Sequence, residues 1–337
     1  LTNNSSLGYY SKGIYKEKKA LMAYQSRIQS TTAADNLIFA YESLKNADIQ
    51  SADSYLENAL KADFEHPEVL LALKCMAFWK DQLSKMPETN NLLERGDFLC
   101  TSWKKFMVFL TRIGDTSEKV RYAYKRFAFG LALDQYLALP DEEKDALGAA
   151  LDLRLGRARK ATGDIETALI HLERATKTQR NDAKVMAELA DAYAMAGESR
   201  LSKALFREAF FLDPSAVEIE YLESEFILKI IENIQELGYS GNDIAEWIPV
   251  YAEIWGVFNV KRELSAAEYN RISASARQLE IELRESPQHS SNLVPRLLNR
   301  YFWMVDHLKT SGDEAGLHSV LLKIKILDQS IYASYIA

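Results

Sequence analysis

The chain has 337 residues, 47% of them hydrophobic, and a formal net charge of -7. That size allows a large buried core, while the acidic balance gives no general attraction for nucleic acid or an anionic membrane. No apolar run approaches the roughly 18 to 20 residues of a bilayer span, and even Phe226-Ile227-Leu228-Lys229-Ile230-Ile231 carries a charge in its middle.

The opening stretch contains Leu7-Gly8, Gly13-Ile14-Tyr15, Ala20 and Tyr24, and Phe39-Ala40, Ala52, Leu56 and Ala59 follow it as a second copy. Two helix-turn-helix units are expected over 1–66, with Pro67 in the first turn of the next helix, where its missing N–H costs no hydrogen bond. Over 67–147 the pattern loosens into longer helices, at 67–85, 88–112, 116–138 and from Asp141. Aromatic residues crowd this segment: Phe78, Trp79, Trp103, Phe106, Phe109, Tyr122, Tyr124, Phe127 and Phe129. Such side chains fill wide gaps between helices, so core packing is expected, with a binding surface as the alternative.

Over 148–216 the sequence repeats itself. A shift of 34 places Leu155 on Leu189, Gly156 on Ala190, Gly163 on Gly197, Leu172 on Phe206 and Ala175 on Ala209, and the second copy closes with Asp213-Pro214. Over 217–337 the strict repeat fades into helices expected at 215–236, 243–258, 265–285 and 292–310. Leu327-Asp328-Gln329-Ser330 then parallels Leu212-Asp213-Pro214-Ser215, and 298–331 reads as a degenerate repeat or end cap. Lys323-Ile324-Lys325-Ile326 alternates like a strand, but a lone strand has no partner here. Gly96-Asp97, Gly114-Asp115, Gly163-Asp164 and Gly312-Asp313 each read as a hairpin turn, a glycine ending one helix and an aspartate capping the next.

Chemistry is sparse. Cys75 and Cys100 lie in no CxxC pair, and His66, His171, His289, His307 and His318 are scattered without metal-ligand spacing. Neither GxGxxG, GxxxxGK[ST] nor GxSxG occurs, so no catalytic residue, metal or cofactor is expected. Asp141-Glu142-Glu143 complements a helix start, and Glu218, Glu220, Glu223 and Glu225 are read as spread around a helix. The most usable polar signal is a basic strip, Arg154, Arg157 and Lys160, at helical spacing, abutting Glu188 and Asp191 one repeat later. If it lines an inner surface, it suits an acidic peptide or helix oriented by charge; two solvated, mutually neutralising faces are the alternative.

The 34-residue period, with its small residues at the helix crossing and its closing proline, resembles the tetratricopeptide repeat superfamily at 148–216, and more loosely at 1–66 and 298–331. The resemblance implies an all-α fold, a right-handed solenoid of antiparallel helix pairs, and a protein-binding scaffold in place of an enzyme. Members that dock chaperones hold a terminal carboxylate with lysine and asparagine, but the asparagine positions here are Arg157 and Asp191, which argues against that role. Leu293-Val294-Pro295-Arg296-Leu297-Leu298-Asn299-Arg300-Tyr301-Phe302-Trp303, with Leu321 to Asp328, is similar to the C-terminal part of repeat-containing flagellar collar proteins of spirochaetes. That similarity implies a periplasmic component around the flagellar motor, serving assembly and motility and binding collar and stator proteins. The alternative is a cytoplasmic repeat protein that binds a peptide or small signal. Expected protein-binding residues are Arg154, Arg157, Lys160, Glu188 and Asp191, with aromatic contacts from Tyr9 and Tyr41. Self-association through uncapped repeat ends is a further expectation. The chain opens at Leu1, so an excised or processed piece is expected.

Overall fold

The computed structural model describes residues 32–89, 91–114, 117–286, 288 and 290–337. Among the described residues sixteen α-helices and two short 3-10 turns form, with no strand, so the fold class is all-α. The first expected repeat, with Tyr9, lies outside the described residues, as do Asp115 and His289. The chain divides into two compact units between Ala138 and Leu139, inside the segment read as 67–147.

The first unit contains α1 (Ala33–Lys45), α2 (Ile49–Ala62), α3 (Pro67–Ser84), α4 (Leu92–Ile113) and α5 (Glu118–Leu137). A capping box opens α1, the Thr32 hydroxyl accepting from the Asp35 amide while the Asp35 carboxylate accepts from the Thr32 amide. Asp48 accepts from the Ser51 amide to start α2, and Ala40, Ala52, Leu56 and Ala59 are fully buried where small side chains let the pair approach. Pro67 takes the first turn of α3. The aromatic segment is core for the most part: the rings of Trp79 and Phe106 stand 5.5 Å apart, Trp79 and Phe127 5.6 Å, Phe106 and Tyr124 5.5 Å. The buried Tyr124 hydroxyl donates to the Ala72 carbonyl at 2.7 Å.

Gly96-Asp97 is not a turn. It lies inside α4, where a Cβ at Gly96 would fall within the Tyr136 ring, and Asp97 accepts from the Tyr136 hydroxyl at 2.8 Å. The glycine is there so that a helix can cross a tyrosine closely, a packing demand that looks the same in sequence as a helix stop.

The second unit holds α6 (Asp141–Leu147), α7 (Ala149–Ala161), α8 (Ile165–Thr178), α9 (Ala183–Met195), α10 (Ser199–Leu212), α11 (Glu225–Glu236), α12 (Asp243–Ile254), α13 (Ala266–Glu285), α14 (Ser290–Ser311), α15 (Glu314–Leu327) and α16 (Gln329–Ile336). The hairpins α7–α8 and α9–α10 turn on Gly163 and Gly197, both left-handed at φ 89° and 86°. At the α7–α8 crossing a Cβ on Gly156 would stand 2.5 Å from Leu172 Cγ and 3.3 Å from the Ala168 carbonyl, so only glycine fits without a shift. The α14–α15 hairpin reproduces the turn with Gly312 at φ 73°, and Asp328 caps the Ser330 amide as Asp213 caps that of Ser215. Helix α12 is buried on nearly every side, with Ile244, Trp247, Ile248 and Val250 in the core that α9, α10 and α14 share. Lys323 to Ile326 are helical, Ile324 buried and Ile326 exposed, so the apparent strand alternation is two positions of a helix.

One expected helix starts ten residues late. Residues 215–236 do not form a continuous helix: Pro214–Ala216 and Ile219–Tyr221 are 3-10 turns joined by extended residues, and α11 starts only at Glu225. Glu218, Glu220 and Glu223 therefore precede the helix on an irregular strap.

Candidate functional site: a charged face covered by its own chain

Arg157 and Lys160 project from the last turns of α7, and Glu188 and Asp191 from the middle of α9. The 34-residue period brings these two first helices of successive repeats together, so charges 28 to 31 positions apart in sequence meet. Arg157 Nε donates to Glu188 Oε1 at 2.6 Å and its Nη2 to Glu218 Oε2 at 2.7 Å. Its guanidinium lies 3.8 Å from the Tyr221 ring centroid. Lys160 Nζ donates to Glu188 Oε2 and Asp191 Oδ2, each at 2.6 Å, and to the Tyr221 carbonyl at 3.1 Å. An ammonium has three donors, and all three are engaged.

The strap 214–224 closes the site. Asp191 accepts from the Glu223 amide through Oδ2 and from the Ser224 amide through Oδ1, both at 2.8 Å. Lys184 adds a 3.3 Å contact to Glu218. Lys160, Glu188 and Asp191 are consequently buried, with side-chain exposures of 0%, 2% and 0%. Burial alone would lower the Lys160 pKa, but Asp191 and Glu188 outweigh it and hold the ammonium charged, above the usual lysine range. Arg157 is raised in the same way, Glu188 and Glu218 overcoming its burial.

The sequence strip is thus brought together as expected, but not as an open surface. Arg157, Lys160 and Asp191 bind an irregular acidic segment, while Glu188 pairs with the two cations, and that segment belongs to this chain. Arg154, half-buried, donates to the Ala150 carbonyl at 2.9 Å. Tyr41 belongs to the first unit, where its hydroxyl donates to Glu68 at 2.9 Å.

A second charged cluster escaped the sequence reading. Buried Arg207 on α10 pairs with Asp306 of α14 and lies 3.6 Å from Glu253 of α12, its guanidinium 4.1 Å from the Trp303 ring centroid. Lys261 joins Glu253 at 2.7 Å, and Arg296 holds Glu246 through two bonds at 2.5 and 2.8 Å. Nearby Arg300 is lowered to about 10, by burial first and then by Arg296. The available signal was an arginine on the apolar stripe of α10, between Phe206 and Ala209.

Among the described residues no cluster of histidine, cysteine, aspartate and glutamate is placed to hold a metal ion, and no helix is long and apolar enough to cross a membrane. No family model matches the chain and no curated protein matches it.

Proposed function

We propose that the chain is a non-enzymatic protein–protein interaction scaffold, a right-handed solenoid of tetratricopeptide-like helix pairs. The observation that carries this reading is the repetition in α7–α10: the same glycine turn and small-on-large crossing recur after 34 residues, and buried ion pairs tie one repeat to the next. A frame of this kind is ordered before a partner arrives, so binding does not have to supply the ordering entropy. Its most concrete form is an assembly component of a periplasmic flagellar motor collar that binds other collar or stator proteins. The residues that carry that similarity lie on α14 and α15, where Leu297, Leu298, Tyr301, Phe302, Trp303 and Ile324 are buried. They support it as determinants of fold, leaving the exposed positions of these helices for partners.

A second reading, a cytoplasmic repeat protein that binds a peptide or small signal and changes state, is favoured by the strap, which fills the inner charged face as a ligand would.

A crosslinking pulldown from native cells with the full chain as bait tests both. Recovery of motor and stator components is the expected result. Recovery of soluble regulatory proteins alone moves the chain to the second reading. Reproducible turnover in a hydrolase and transferase screen, abolished by replacing one buried carboxylate, overturns the non-enzymatic assignment.

A further inference from the structure

Helix α14 carries two arginines one turn apart, Arg296 and Arg300, whose surroundings differ sharply. Arg296 takes two carboxylates: Glu246 of α12 through bonds at 2.5 and 2.8 Å, and Asp213 at 3.3 Å. Its bonds to Glu246 raise its pKa against its burial. Arg300 is half-buried and forms no ion pair among the described residues. Its guanidinium lies 3.9 Å from the ring centroid of Phe211 on α10, and its Nε donates to Ser275 Oγ of α13 at 3.4 Å. A guanidinium has five N–H donors, so four are left without a protein partner among the described residues.

A charge placed in this way destabilises the fold until an anion answers it. Burial first, and then Arg296, lower Arg300 to about 10, so at neutral pH it is protonated and uncompensated. The other carboxylates on the flanking helices are engaged: Glu208 of α10 pairs with Arg262 at 2.5 Å, and Glu282 of α13 accepts from Gln278 at 3.0 Å. Phe211 and Ser275 hold the guanidinium from two helices, which preorganises its free donors. Ser275 uses its oxygen to accept from Arg300 and keeps its own O–H to donate. Arg271, exposed and one turn before Ser275 on the same face of α13, forms no ion pair among the described residues. Three helices thus bring hydrogen-bond donors and positive charge to one place, with an aromatic ring behind them.

We propose that Arg300 and Ser275 form a binding site for a phosphate group, with Arg271 adding charge at its mouth. Two phosphate oxygens meet the free N–H groups of Arg300 and a third takes the Ser275 hydroxyl proton; a carboxylate, with two oxygens, leaves one donor over. The chemistry is the same for free phosphate and for the headgroup of a phospholipid, and the test separates the two.

The test uses the full chain labelled with ¹⁵N-arginine, the Arg300 Nε–H resonance being identified by its loss in Arg300→Lys. Inorganic phosphate is titrated in, and acetate at matched ionic strength. The resonance is expected to shift saturably with phosphate, with a Kd below about 10 mM, and to stay in place with acetate. Ser275→Ala leaves the guanidinium in place and is expected to weaken phosphate binding by about 10-fold. Phosphate should also raise the thermal midpoint of wild type more than that of Arg300→Lys, which keeps the charge and loses the planar fork; circular dichroism checks that both variants retain their helices. A shift that grows linearly without saturating shows an adventitious ion only and overturns the proposal. An equal response to acetate, or unchanged affinity in Ser275→Ala, overturns it as well. Once saturable phosphate binding is seen, flotation with vesicles containing or lacking phosphatidic acid assigns the source. Capture that is lost in Arg300→Lys identifies a lipid headgroup, and no capture identifies a soluble phosphate.

Discussion

Lys160 shows what a single buried charge does in this fold. Removing one member of a buried, fully satisfied ionic cluster leaves the others desolvated without compensation, which costs about 3 to 5 kcal/mol. Lys160→Met is expected to lower unfolding stability by that order, seen as a lower urea midpoint with an unchanged m-value. The pH dependence has a definite sign. The folded pKa of Lys160 is raised, so its stabilisation is complete below the unfolded value of about 10.4 and is lost as pH rises through the higher folded value. Wild type should therefore lose more stability than Lys160→Met between about pH 10 and 12, measured by urea titration at each pH. Gly96→Ala, forced against the Tyr136 ring, should destabilise by about 1 to 3 kcal/mol in the same assay. That a basic strip abuts an acidic one was legible from the 34-residue spacing; the pairs themselves, 28 and 31 positions apart, were not. Their burial was not, because nothing local to Lys160 or Asp191 announces a covering segment 30 to 60 residues later.

At the scale of elements, many helices were legible because they carry their own start or stop. Pro67 opens α3, Gly163 and Gly197 end α7 and α9, and Asp164 caps α8. The strap was misread as helix because its glutamates and apolar residues keep a helical spacing, and Pro214 is as compatible with a first helical turn as with a 3-10 turn. Tertiary hydrogen bonds decided the matter: Asp191 takes the Glu223 and Ser224 amides, and Lys160 takes the Tyr221 carbonyl. The strap is thus held from outside itself. Asp191→Asn should accelerate hydrogen exchange at the amides of Glu223 and Ser224 by about 10-fold or more, while those inside α8 stay protected. Exchange unchanged at both amides would show that Asp191 is not what holds the strap.

For the molecule as a whole, periodicity predicted an all-α chain and the structure has one, but the compact units meet at residue 138 and not at a boundary of the repeat pattern. Compactness follows from which aromatic side chains interdigitate, and a contact such as Trp79 with Phe127 leaves no periodic trace. Charge behaves differently inside and outside these units. The clusters around Lys160 and Arg207 are buried and screened little by ions, whereas exposed pairs such as Lys85 with Asp81 are screened fully. Raising salt from about 0.1 to 1 M should consequently leave thermal stability nearly unchanged, with the loss caused by Lys160→Met preserved at both concentrations.

The strap also imposes an order on synthesis. A ribosome finishes α7 through α10 before it makes residue 214, and at that moment Arg157 lacks Glu218 and Asp191 lacks both of its strap amides. The two best-formed repeats are therefore incomplete as a module, and they mature only when Ser224 has cleared the exit tunnel. Any version of this chain cut after Asp213 is born with an unfinished charged face, however regular its period looks on paper.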